Sequence, residues 1–363
     1  MEMYSMHSKM SEFYNEHVRL DKETRNDLAG FRKTNIERLK IGLSNLDYPH
    51  PMEIINQGSY PMFTTIKAEN NDYDIDVAVI FNESDLPASA YDARKHIEAA
   101  MIEGGGNFSK PPEARTHAVT VWYQEGHHVD LAIHRVTRTL GSELYEHAGT
   151  VWVERDPRSI TEWFLGKVME KSPSKESRAT VQPNQMRRIV QFLKFFSKSR
   201  SSWKLPGGLL LSVLVEENYI SDGNNDDISF VLSLRNIHTR LVSSLSVRNP
   251  VDPSQLLTYK SEYINQVRNL RDQLETSLEW LRPLDDSECD QLDAAKVWAK
   301  FFNHGFWDEI VIDEANKKQD SIETARKSGS LFASTSGRVT TTSSAEEKPV
   351  KIPDHRFYGK EIL

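Results

Sequence analysis

The sequence predicts a mixed α+β lobe followed by a helical lobe, and three observations carry that reading. Short apolar runs of β-branched character come early, VAVIF at 77–81 and HHVDLAIHRV at 127–136. From Ser159 onward, the long apolar segments repeat with helical rather than alternating spacing. The chain has 363 residues, long for one compact domain and sufficient for two lobes.

Each element has its own signal. DKETRNDLAGFRKTNIERLKIGL reads as a helix with Asp21 as N-cap and Glu23 in its first turn. Leu28, Phe31, Ile36, Leu39, Ile41 and Leu43 form its apolar stripe, and Asp47, Tyr48 and Pro49 end it. This helix is expected to pack along the back of the sheet. EIINQGSYPMFTTIK gives a short strand or turn, and NNDYDIDVAVIF a strand covered on both faces. ASAYDARKHIEAAMI is a helix closed by the glycine run 104–106, which reads as a C-cap and turn. HAVTVWYQ and HHVDLAIHRV pair as a hairpin through Glu125-Gly126. Helices follow at ITEWFLGKVMEK, QMRRIVQFLKFFSKS, PGGLLLSVLVEENY, NDDISFVLSLRNIHTRLVSSL, KSEYINQVRNLRDQLETSLEWL and DQLDAAKVWAKFFNH. Trp203, Trp298 and Trp307 are expected as core anchors. The expected organisation is a first lobe over 1–158, a helical lobe over 159–315, and a tail over 316–363. In that tail, a Ser/Thr/Gly-rich linker precedes IPDHRFYGKEIL, a terminal docking motif for the chain itself or for a partner.

Composition narrows the function. Lys plus Arg number 45 and Asp plus Glu 53, a formal net charge of −8, which argues against a protein that coats nucleic acid. A single cysteine, Cys289, excludes an internal disulfide and a Cys-rich zinc cluster. With no apolar run near the ~20 residues of a membrane helix and no signal-peptide pattern, the expectation is a cytoplasmic protein without membrane contact.

The chemistry is concentrated in a few acidic residues. Asp74 and Asp76 stand two apart at the mouth of the VAVIF strand, so both carboxylates face the same side. Asp130 opens another apolar strand. If the two strands are neighbours, three carboxylates converge without a Lys or Arg beside them. Oxygen donors of that kind suit two divalent cations, Mg²⁺ or Mn²⁺. Gly58 and Ser59, just upstream, offer close backbone approach and donors for a phosphate. Lys194, at the edge of the apolar face of QMRRIVQFLKFFSKS, can reach triphosphate oxygens. The bland alternatives are a polar turn before a core strand, exposed turn histidines at His127 and His128, and a solvated helix face at Arg187 and Arg188.

GSYPMFTTIKAENNDYDIDVAVIF followed by VDLAIHR resembles the polymerase β-like nucleotidyltransferases. RRIVQFLKFFSKSRSSWKLPGGLLLSVLVEEN resembles the segment after the catalytic core in oligoadenylate synthetases and in bacterial CD-NTases, the relatives of cyclic GMP–AMP synthase. The resemblance runs from about Gln57 to about Tyr219. It implies a polymerase β-like core sheet with a C-terminal helical lobe. It implies Asp74, Asp76 and Asp130 as the metal triad, with Asp130 activating the attacking hydroxyl, and Gly58, Ser59 and Lys194 as triphosphate ligands. The implied product is a cyclic oligonucleotide second messenger in bacterial anti-phage (CBASS) signalling, made from ATP and/or GTP. A cyclic dinucleotide is favoured over a trinucleotide, and the effector is reached through the product. Rival readings are an RNA- or protein-directed nucleotidyltransferase and an inactive scaffold. A nucleic-acid activator is not indicated, and a regulatory or conjugating protein at the C-terminal tail is a further expected partner. Two departures from the family pattern are Pro61-Met62-Phe63 after the Gly-Ser pair and Gly207-Gly208-Leu209 after Leu205-Pro206.

Overall fold

The computed structural model describes residues 3–68, 73–124, 126–173, 184–333, 339–340 and 350–351. The chain divides into two compact units, His7–Leu278 and Met1–Met6 with Glu279–Leu363.

The larger unit opens with α1 (His7–Phe13), a π-helical turn (Tyr14–Val18) and α2 (Lys22–Asn45). Asp21 caps α2 as its sequence predicts, accepting the Thr24 N–H at 2.8 Å. Of the expected stripe, Leu28, Leu39 and Leu43 are buried, whereas Ile41 faces solvent. Next come β1 (Glu53–Asn56), a single helical turn α3 (Ser59–Met62), β2 (Asp74–Asn82) and α4 (Ala90–Glu103). Five further strands complete the sheet: β3 (Phe108–Ala114), β4 (Val119–Tyr123), β5 (His128–Thr139), β6 (Ser142–Ala148) and β7 (Trp152–Glu154). The strand order is β1-β2-β5-β4-β3, with β6 on β5 and β7 on β6. Only β2 and β5 run parallel; the other pairs are antiparallel.

The sheet has two dissimilar faces. Ile75, Val77, Val79, Phe81, Val129, Leu131 and Ile133 pack beneath α2 and α4 in one apolar core. The period of two puts Asp74, Asp76, Asp130, Ala132 and His134 on the opposite face. Along one edge, β5 changes partner: β4 pairs with residues 128–131 and β6 with residues 134–139. The sheet therefore splits beside Ala132.

Three strands escape the sequence reading. Within β3, Pro111 and Pro112 spoil the alternation, and its pairing with β4 shifts register twice. β6 and β7 are short and largely polar.

The helical part of this unit holds α5 (Ser159–Lys171), α6 (Gln185–Lys198), α7 (Gly208–Asn218), α8 (Asp226–Ser243) and most of α9 (Ser261–Leu281). Met186, Ile189, Val190, Phe192, Leu193 and Phe196 of α6 are buried. Arg188 is neither solvated nor in a cleft: its Nε and Nη2 donate to Asp226 at 2.6 and 2.9 Å, and both side chains are buried.

The smaller unit is built on α10 (Gln291–Phe302) and α11 (Gly305–Lys327). Asp290 caps α10 by accepting the Asp293 N–H. Trp298 stacks on Phe302, with Trp307 and Phe301 in the same buried cluster. These are the expected core anchors, while Trp203 is only half-buried. The tail expected from residue 316 begins later, because α11 continues to Lys327. Beyond it, β8 (Phe332–Ala333), β9 (Val339–Thr340) and β10 (Val350–Lys351) pair in a small sheet. The terminal motif IPDHRFYGKEIL lies outside the described residues. Among the described residues, no helix is long and apolar enough to cross a membrane.

Candidate active site

The parallel pairing of β2 with β5 brings the three predicted aspartates to one end of one face. Asp76 and Asp130 are register partners, and Asp74 is two residues earlier on β2, opposite His128. Asp76 and Asp130 are half-buried and Asp74 is exposed. Restricted hydration, then the charges of Asp130 and Asp74, push the Asp76 carboxyl up to about 6. Thr120, which faces Asp130 on β4, donates its hydroxyl to the Asp130 carboxylate and fixes its rotamer.

Asp74 departs from the expectation of an uncompensated triad. His128 Nε2 stands 2.6 Å from its carboxylate, and that contact holds the Asp74 pKa below the usual carboxylate range. His128 is thus a side-chain partner of Asp74 rather than an exposed turn residue. His127 is buried between Phe31 and Tyr123, with ring centroids at 3.9 and 4.6 Å.

The Gly-Ser pair is locked against the carboxylates by backbone. Gln57 N donates to Asp76 O at 2.9 Å. Gly58 has φ +67° and ψ −145°, a region essentially reserved for glycine. A Cβ there would stand 1.9 Å from Asp76 Oδ2, so no other residue permits this approach. Ser59 begins α3, and its hydroxyl pairs with Thr65 Oγ1 at 2.9 Å.

Lys194 is buried rather than at the edge of the α6 face. Its Nζ donates to Thr64 O and Oγ1 at 3.0 and 3.1 Å, which ties α6 to the loop following α3. Burial first, and Lys198 second, lower its pKa to about 8, while Asp76 and Asp74 pull the other way. At Gly208 the departure has a local reason, since a Cβ there would meet Lys194 Cε at 2.8 Å, whereas nothing stands within 4 Å of a Cβ at Gly207. The Phe63 departure brings a half-exposed ring with left-handed backbone, φ +57°, between the guanidiniums of Arg25 and Arg187.

The donor set matches a divalent cation in kind, since carboxylate oxygens are what Mg²⁺ and Mn²⁺ select. The repulsion that raises Asp76 is relieved by positive charge. The set is not a closed cage: among the described residues, no three His, Cys, Asp or Glu side chains stand in a metal-enclosing arrangement.

Beside the carboxylates lies a cavity of about 220 Å³, lined by Gln57, Asp76, Asp130, Ala132, His134 and His147 among others. Sequence reading missed the two histidines. The period of two from Asp130 through Ala132 to His134 was the available signal; His147 depends on a strand that the pattern does not reveal.

Residues 52–134 match the family of the cyclic GMP-AMP synthase DncV-like nucleotidyltransferase domain. A curated cyclic GMP-AMP synthase of Escherichia albertii is 26% identical over 211 residues, 56% of this chain and 45% of that protein, so the match spans under half of the relative's length. CdnC of E. coli MS115-1, solved with ATP, superposes with a TM-score of 0.60 at 17% identity, over 83% of this chain and 98% of that one. The same CdnC has also been solved in complex with HORMA-deltaN. DncV cyclic AMP-GMP synthase of Vibrio cholerae superposes with a TM-score of 0.61 at 13% identity, over 82% and 96% of the two chains. These superpositions establish the shared α+β fold, and the sequence match assigns residues 52–134 to a DncV-like nucleotidyltransferase domain.

Proposed function

We propose that this chain joins nucleoside triphosphates into a cyclic oligonucleotide, a cyclic dinucleotide in the first instance, for CBASS-type signalling through a separate effector. One observation carries the reading: Asp76 and Asp130 face each other in register across parallel strands, with Gly58 backbone pressed against the Asp76 carboxylate. A fold that gained nothing from a ligand there would have no use for that repulsion.

Each residue has a role in the proposed reaction. The backbone at Gly58-Ser59 and the Ser59 hydroxyl hold triphosphate oxygens, and the Lys194 ammonium adds charge-assisted donors. Asp74, Asp76 and Asp130 hold divalent ions, which when bound offset phosphate charge and lower the pKa of an attacking hydroxyl. A ribose hydroxyl of the second nucleotide attacks the α-phosphorus, and the bond to pyrophosphate breaks. Asp130 receives the hydroxyl proton on the oxygen not occupied by Thr120. Repetition within the linear product closes the ring. ATP in CdnC supports a nucleoside triphosphate as substrate. HORMA-deltaN in the CdnC complex supports a protein regulator as a partner class.

The test is incubation of the full chain with all four nucleoside triphosphates and Mg²⁺ or Mn²⁺, with products identified by mass. Pyrophosphate and a cyclic product are expected. Absence of both under either metal overturns the reading.

A further inference from the structure

The loop after α3 is held by two sets of contacts, and one set comes from the beginning of the chain. Residues 63–67 belong to no strand of the sheet, so single backbone bonds and side chains must fix them. One set ties the loop to the candidate site. Thr64 N donates to Ser59 O at 2.9 Å, Thr65 Oγ1 stands 2.9 Å from Ser59 Oγ, and Lys194 Nζ donates to Thr64 O. The other set comes from the π-helical turn Tyr14–Val18 and the residue after it. Lys67 N donates to Val18 O and Lys67 Nζ to Glu16 O, both at 3.0 Å, and Arg19 forms an antiparallel bridge with Ile66.

Tyr14, which opens that turn, reaches the loop through α6. Its hydroxyl donates to Gln191 Oε1 at 2.7 Å, and Gln191 Nε2 donates to Thr65 O at 3.1 Å. A carbonyl only accepts, so Thr65 O fixes which end of the Gln191 amide faces it, and the Tyr14 hydroxyl serves the other end. Gln191 is 2% exposed, so loss of either partner leaves a buried polar atom unmatched. The Tyr14 ring packs edge-on against Phe192 at 5.6 Å, which holds the hydroxyl in place. Burial raises the phenol pKa, and the hydroxyl keeps its proton.

Thr65 links this pair to Ser59. If Ser59 donates its proton to a phosphate oxygen, its own oxygen must accept from Thr65 Oγ1. A threonine whose backbone is set by Gln191 then sets the direction of the Ser59 hydroxyl. We infer that Tyr14 is a positioning residue of the triphosphate site, acting through Gln191 and Thr65 on Ser59 Oγ. The inference rests on the proposed role of Ser59 as a triphosphate ligand. Tyr14 stands three hydrogen bonds from Ser59 Oγ, so it acts on the geometry of binding and not on the chemical step.

The test uses the full chain as wild type, Y14F, Q191M, the Y14F/Q191M double variant and D21A, each checked by thermal melting. KM and kcat are measured for ATP and GTP, and calorimetry gives Kd for a non-hydrolysable ATP analogue with Mn²⁺. Y14F keeps the ring and removes one donor. It is expected to raise KM and the analogue Kd by about fivefold, the order of one lost hydrogen bond, with kcat moving by less than about twofold. Q191M should do at least as much, and adding Y14F to Q191M should change nothing more, because the relay is already cut. D21A removes the α2 cap instead. It should lower the melting temperature and leave both constants at wild-type values, which separates positioning from loss of stability. If the wild type binds the analogue but makes no product, the proposed reaction fails, while the Kd values still judge Tyr14. If the wild type binds no triphosphate, both fall. Unchanged constants in Y14F, full additivity of Y14F with Q191M, or an equal shift in D21A would each overturn the inference. Should Y14F fail to fold, Q191M decides it, and unchanged constants there would overturn it equally.

Discussion

The larger unit holds two charged clusters that solve opposite problems. Arg188 and Asp226 are both buried and form a two-point ion pair, with Gln185 Nε2 adding a bond to Asp226 Oδ1 at 2.9 Å. Every charge there has its opposite. On the sheet, Asp76 and Asp130 face each other with no Lys or Arg within ion-pair distance among the described residues. Where charge is structural, the chain supplies its own counter-ion. At the carboxylate pair it supplies none, and the role proposed for that pair is to take its positive charge from a bound cation.

The comparison is broken most forcefully at the neutralised cluster. Arg188→Ala strands a buried carboxylate, and removal of one partner from such a pair costs about 3–5 kcal/mol. Urea denaturation should show that loss, whereas Asp76→Asn should leave stability unchanged or raise it by removing repulsion. Equal destabilisation by both would erase the distinction.

Gly58→Ala comes next. Its Cβ collides with the Asp76 carboxylate, and its backbone lies where only glycine is at ease. A loss of about 3 kcal/mol is expected in the same assay, the upper end for strained backbone. Synthesis should fall with it, since the collision displaces a proposed metal ligand. A neutral outcome would mean that the close approach is not needed.

Lys194 gives the smallest effect and sharpens the comparison, because it is a buried cation whose charge acts on Asp76 and Asp74. Lys194→Met should weaken triphosphate binding by about 1.5–3 kcal/mol, the range for a hydrogen bond to a charged group, read as a raised KM. Its pKa of about 8 sets two opposite pH trends. The ammonium is complete below pH 8, so triphosphate affinity falls as pH rises through 8. In the ligand-free protein, the unfolded chain holds the proton up to the ordinary value of 10.5, so this residue's contribution to stability rises between about 8 and 10.5. Both trends should vanish in Lys194→Met. Their persistence would assign the titration elsewhere.

The sequence made the acidic end of the site legible and left the rest of the cleft hidden, for physical reasons. Asp74 and Asp76 share a face by strand period alone, and Asp130 opens an apolar run of the same kind. Their meeting required that β2 and β5 pair in parallel, which no local pattern specifies. Lys194 sits within a strongly apolar helix face, and periodicity cannot tell edge from interior when α6 is covered on several sides. The His128 contact with Asp74 is cross-strand, set by register. The cavity is less legible still, since it exists because β5 exchanges β4 for β6 along one edge. The helical lobe was read nearly element by element, since amphipathic repeats are local; α11 was not among the expected helices, because it buries only Trp307, Ile310 and Ala325 and shows little apolar periodicity.

The central claim is that the carboxylate pair is kept for a divalent cation bound together with a nucleoside triphosphate. Calorimetric titration of Mn²⁺ into the full chain, with a non-hydrolysable ATP analogue present, tests it directly in wild type and in the Asp76→Asn/Asp130→Asn double variant. Saturable Mn²⁺ binding in the wild type, lost in a double variant that still melts cooperatively, is the predicted result. Equal Mn²⁺ binding by both proteins would contradict the claim.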